Sequence, residues 1–129
     1  MITKLTSNLI LRLQGIYFVL TGIWPLISMS TFLKITGPKT DLWLVQVVGI
    51  LILVIGTVLL ISSYAKKRNP QIILLAAGSA LAFIIIDTTY FLSGVISAIY
   101  LLDALIDLVF LIFWLLESIN TKRKGNIFN

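Results

Sequence analysis

Long apolar runs bounded by charges or by Gly and Pro recur four times along the chain, at about Leu9 to Met29, Leu42 to Tyr64, Gln71 to Ser93 and Val95 to Glu117. At about 1.5 Å of rise per residue, each run can carry an α-helix across a hydrocarbon core of ~30 Å. The pattern predicts an all-α fold: an integral membrane, four-helix antiparallel transmembrane bundle, with residues 1–129 as one domain. The first run is too long for the apolar part of a signal peptide. Thr31-Phe32-Leu33-Lys34 after it forms no small-residue cleavage site, so it reads as a retained helix.

The connections differ in character. Ser30 to Asp41 holds Phe32, Leu33 and Ile35 and then Thr36-Gly37-Pro38-Lys39-Thr40-Asp41, which reads as a short interfacial segment followed by a turn. Thr40 or Asp41 is placed to cap the second span. Ala65-Lys66-Lys67-Arg68-Asn69-Pro70 is a basic loop whose proline can open the third span in its first turn. Only Ser93-Gly94 separates the third and fourth spans, which predicts a tight hairpin.

In hydrocarbon an apolar stripe says little about packing, and small and polar residues mark the inward faces instead. Gln14, Tyr17, Thr21, Trp24 and Ser28 follow a 3,4,3,4 spacing on the first span, as do Gln46, Gly49, Leu53, Gly56, Leu60 and Ser63 on the second. Ala76, Ala80, Phe83, Asp87, Tyr90 and Gly94 form the face of the third span, and Ile96, Tyr100, Asp103, Asp107, Phe110 and Trp114 that of the fourth. Four faces of period near 3.5 predict one shared interior. Gly49 and Gly56 allow a neighbour to approach closely, either inside the bundle or across a homodimer seam.

Composition agrees: 59% of the 129 residues are hydrophobic and 12% charged, against roughly half and a quarter in soluble domains. The chain has no Cys and no His, which excludes disulfides and thiolate-held metals and removes the usual haem and zinc ligands; no cofactor and no metal are expected. Lys4, Arg12, Lys66, Lys67, Arg68, Lys122, Arg123 and Lys124 fall on one side of four spans, against Lys34 and Lys39 on the other. By the positive-inside rule both termini are expected in the cytoplasm, here of a bacterial inner membrane. The net charge of +5 is absorbed by this asymmetry and points to the lipid bilayer as partner, with no nucleic acid.

Asp87, Asp103 and Asp107 stand out, since an aspartate at the centre of a transmembrane helix costs about 2.5–3.5 kcal/mol on insertion scales. Counted from the expected hairpin, Asp87 and Asp103 fall at one level about 10–12 Å below its end, with Asp107 one turn deeper. No basic residue in the spans shares that level; Arg12 belongs at the opposite end, where it can snorkel or pair with Glu117. At least one acid must then be protonated, or a cation or water must share the site. Tyr17, Thr21, Trp24, Gln46, Tyr90 and Tyr100 are the further candidate ligand-binding residues, in a polar pocket facing the extracytoplasmic side. Trp43 and Trp114 read as interfacial belt residues.

The stretch Leu11-Arg12-Leu13-Gln14-Gly15-Ile16-Tyr17-Phe18-Val19-Leu20-Thr21-Gly22 resembles the first helix of the DoxX-like proteins, small four-helix proteins of bacterial inner membranes. That resemblance implies the four-span layout and an association with quinone-linked or redox proteins, and carries over no catalytic residue. Three functions follow as expectations: binding, or transport, of a small lipophilic or cationic ligand in the acidic pocket; acid/base catalysis by Asp87, Asp103 and Asp107 on a lipid-like substrate; or an accessory role in which the acids meet a basic residue of a partner membrane subunit.

Overall fold

Four helices long and apolar enough to cross a membrane dominate the computed structural model, which describes residues 4–128 and, of their side chains, those of residues 4–123. The order is α1 (Lys4–Ile27), α2 (Met29–Thr36), α3 (Leu42–Ser62), α4 (Pro70–Leu92) and α5 (Ile99–Phe128). The chain is thus a multi-pass integral membrane protein, an all-α bundle of α1, α3, α4 and α5, with the short α2 at one end. Local chemistry explains several boundaries. Pro70 opens α4, where its missing N–H is no loss, and the Asn69 side chain before it accepts from the Gln71 backbone N–H at 3.1 Å. Asp41 precedes α3 as expected, but its carboxylate makes no capping bond; its backbone carbonyl accepts from Leu44 at 3.1 Å.

The helices associate as two pairs, α1 with α3 and α4 with α5. The first pair is joined backbone to backbone at four glycines. Gly15 faces Gly56 and Gly22 faces Gly49, so the pair runs antiparallel, and a Cβ at any of the four would come within 2.6–2.8 Å of the opposite backbone. Hydrocarbon tails are as apolar as Leu, so helices here gain from close van der Waals contact rather than from escaping water. Gly49 and Gly56 thus serve a seam inside the bundle. Their partners Gly15 and Gly22 sit on a flank of α1 separate from its polar face.

One side chain stitches the pairs together. Gln14 of α1, fully buried, donates from Nε2 to the Ala76 carbonyl of α4 at 2.8 Å and accepts at Oε1 from Trp114 Nε1 of α5 at 2.7 Å. Trp114 therefore belongs to the core, not to an interfacial belt; it is 0% exposed and packs with Leu11, Phe18, Leu59 and Ala76. Trp43, by contrast, is exposed at the start of α3.

Lys4, Arg12 and Arg68 gather at the end away from α2, opposite Lys34 and Lys39. Lys4 donates to the Lys66 carbonyl and Arg68 to Asn8 Oδ1, tying the start of α1 to the loop before α4. Arg12 does not pair with Glu117: its guanidinium stacks 4.1 Å from the Tyr64 ring centroid, and Nε donates to Ser63 Oγ at 3.3 Å. Burial pulls the Arg68 guanidinium below its ordinary value, and the charge of Glu117 works against that shift. The Lys124 side chain falls outside the described residues.

Gly56→Ala is expected to lower stability by roughly 1–3 kcal/mol through overpacking against Val19 N and the Gly15 carbonyl. Gly78→Ala, with open space around its Cβ, should be neutral or better by up to about 1 kcal/mol from helix propensity. Thermal unfolding of both variants in one detergent checks the contrast.

Candidate functional site

Toward the α2 end the two helix pairs separate around a cavity of about 500 Å³. Its walls come from Tyr17 to Pro25 of α1, Leu44 to Ile52 of α3, Phe83 to Asp87 of α4 and Ile99 to Asp107 of α5, all in the halves of the spans nearest α2. The layer built on Gln14, Leu11 and Trp114 closes it from the basic end. Phe18 and Phe83, edge to face with centroids 5.6 Å apart, stand between that layer and the open space.

α2 covers the other end. Ser28, with φ −144°, breaks the helical path after α1, and the chain turns into Met29–Thr36. Trp24 holds the corner by packing edge to face on Phe32 at 5.3 Å and by donating from Nε1 to Thr31 Oγ1 at 3.0 Å. Gly37 ends α2 with φ +97°, in the region that favours glycine, and Ser97 Oγ donates to the Thr36 carbonyl at 3.1 Å, fastening α2 to the connection before α5. Phe32, Ile35, Thr36 and Lys39 complete the lining. The Lys39 ammonium lies 5.2 Å from the ring centroids of both Phe32 and Tyr100 and donates to Thr36 Oγ1 at 2.8 Å.

The three aspartates converge on this cavity. One carboxylate oxygen from each of Asp87, Asp103 and Asp107 lies within 4.8 Å of the other two. Asp103 Oδ1 accepts from the Tyr17 hydroxyl. Asp107 is 0% exposed and Asp87 4%; among the described residues, both oxygens of Asp107 and Oδ2 of Asp87 have no hydrogen-bond partner. Lys39 is the one cation among the described lining residues.

The expected site residues divide accordingly. Tyr17, Thr21, Trp24, Tyr100 and the three aspartates line the cavity; Gln46 and Tyr90 do not. Gln46 is exposed on α3 because the chain approaches α1 through Gly49, which turns Gln46 off the shared face. Tyr90 is 44% exposed, near the end of α4 where the bundle opens. The Thr21 hydroxyl is committed to the Tyr17 carbonyl at 2.9 Å and the Phe18 carbonyl at 3.2 Å. Depth also changes: α5 begins at Ile99 rather than Val95, so Asp103 lies about 6 Å and Asp107 about 12 Å from the start of its helix. Lys39, Phe32 and Thr36 join the site beyond the expected set; the i, i+3, i+4 spacing of Phe32, Ile35 and Thr36 is the signal the sequence holds for them. Phe83 falls on the marked face of its span, whereas Phe18 carries no such signal within an apolar run.

In comparisons with known proteins, no family model, no curated sequence and no solved structure matches the chain.

A buried acceptor without a donor costs about 1–3 kcal/mol. Asp107→Leu, which removes two such oxygens and faces open volume, is expected to raise the thermal midpoint of the purified protein by several degrees; an unchanged or lower midpoint contradicts that account.

Proposed function

We propose that this chain binds a small lipophilic or cationic ligand in the cavity between its helix pairs. The observation that carries the reading is Asp107: a fully buried carboxylate whose two oxygens have no partner among the described residues, in the wall of a cavity that two further carboxylates share. Intramembrane acids are costly enough that their arrangement around open volume points to what enters that volume. The aromatic and aliphatic walls suit an apolar body, and the carboxylates suit a positive or hydrogen-bond-donating head. Lowering the pH protonates the carboxylates and removes negative charge, so retention of a cation weakens as pH falls.

Native mass spectrometry of protein extracted in a mild detergent tests this. The wild type is expected to carry a defined small molecule, lost at low pH and absent from the Asp87→Asn, Asp103→Asn double variant; two bare, identical spectra overturn the reading. The nearness of the three carboxylates, one oxygen of each within 4.8 Å of the other two, favours a second reading, acid/base catalysis on a lipid-like substrate, because neighbouring carboxyl groups in unlike surroundings can divide the roles of acid and base. In that case an added lipid extract changes in mass with the wild type and not with the double variant.

We further propose a DoxX-like protein of a bacterial inner membrane with both termini cytoplasmic. The support is the Leu11–Gly22 stretch and the gathering of Lys4, Arg12, Lys66, Lys67 and Arg68 at the end opposite α2. The chain has no cysteine, so single substitutions report topology directly. In intact cells a membrane-impermeant maleimide is expected to label Gly37→Cys and to spare Lys67→Cys; the opposite pattern reverses the orientation.

A further inference from the structure

The three aspartates present a trigonal set of acceptors. One oxygen from each lies within 4.8 Å of the other two, so a single point lies no more than about 2.8 Å from all three, within reach of N⁺–H···O⁻ hydrogen bonds of ~2.7–2.9 Å from one donor head. A primary ammonium carries three donors and no acceptor. Asp107, fully buried with both oxygens unpartnered, and Asp87 Oδ2 supply acceptors that no described side chain satisfies.

Other cations fit this chemistry less well. A quaternary ammonium has no N–H to donate and is held instead by aromatic faces. The rings at the mouth, Phe32 and Tyr100, already face the Lys39 ammonium. Calcium takes six to eight oxygen ligands, and magnesium keeps much of its water. Beside the carboxylates the wall offers the Tyr17 hydroxyl, donated to Asp103, the Thr21 and Thr36 hydroxyls, both committed to backbone carbonyls, and the Tyr100 side chain near Lys39; the rest is mostly apolar. Lys39 itself shows that the mouth accepts an alkyl stem ending in –NH₃⁺, with the head between two rings and on the Thr36 hydroxyl.

We infer that the cavity takes an amphiphile with a single primary ammonium head, its N–H groups directed at Asp87, Asp103 and Asp107 and its apolar body against Phe18, Ile52 and Phe83. This rests on the ligand-binding reading above and names the chemical class it serves.

Equilibrium binding of radiolabelled octylamine and octyltrimethylammonium to the full chain in phosphatidylcholine nanodiscs tests the inference, with protein-free discs subtracted. Octylamine is expected to bind at least tenfold tighter, and Asp107→Asn, checked for an unchanged fold by its thermal midpoint, to reduce it to the level of the quaternary probe. Equal affinities that both fall in Asp107→Asn overturn the preference for a primary ammonium while leaving a cation-binding cavity. Displacement of octylamine by micromolar Mn²⁺ overturns it in favour of a hard-metal site. No binding of either probe above protein-free discs also overturns it, and the co-purified molecule in the native mass spectrum then judges the broader reading separately.

Discussion

Backbone contact between α1 and α3 at Gly15, Gly22, Gly49 and Gly56 is the constraint around which the bundle is arranged. Lipid supplies little apolar driving force for helix association, so the contacts that matter are those where atoms can approach most closely. Glycines seven apart on each helix keep the contact on one line across a heptad. That line makes α1 and α3 a narrow, continuous ridge. It also directs the polar face of α1, with Gln14 and Tyr17, toward α4 and α5 rather than toward α3.

The second pair meets this ridge unevenly. At the level of Ala76 the small side chains of α4 and the three-way bonding of Gln14 bring the pairs into contact, with Trp114 filling the remaining space. Nearer α2 the inward residues are Phe83, Asp87, Tyr100 and Asp103, and the interior becomes a cavity instead of a packed core. The same interior is thus a satisfied hydrogen-bond node in one half and a set of unsatisfied acceptors in the other. Local departures from full polar satisfaction are where function is expected to reside.

The roof over the acidic half comes from a segment with modest helix length and several polar side chains. Trp24, Thr31 and Ser28 fix the corner, Ser97 holds the far end of α2, and Lys39 reaches back between two rings. A lysine stem is well suited to such a position, since its methylenes lie along apolar surface while its head remains near the interface. The roof places one positive charge at the mouth and leaves the carboxylates below without a basic side chain among the described lining residues.

Spans, fold class and the inward faces were legible because they depend on local rules: uninterrupted apolar length, and small or polar residues repeating near 3.5. Gly49, Gly56, Ala76, Ala80, Asp87, Asp107 and Trp114 are all buried at positions that the repeat marks. The aspartates were legible as a site because an acid in hydrocarbon is conspicuous in any sequence. The repeat misplaced Gln46 and Tyr90 because a helical face is wider than the contact line, and which edge of it meets a neighbour depends on the partner helix. Sequence by itself determined the four spans, their charge asymmetry and the acidic level. Only the tertiary structure decided that α1 pairs with α3 through glycines, that Gln14 and Trp114 close one half, and that α2 with Lys39 roofs the other, because those outcomes depend on the distance between backbones remote along the chain.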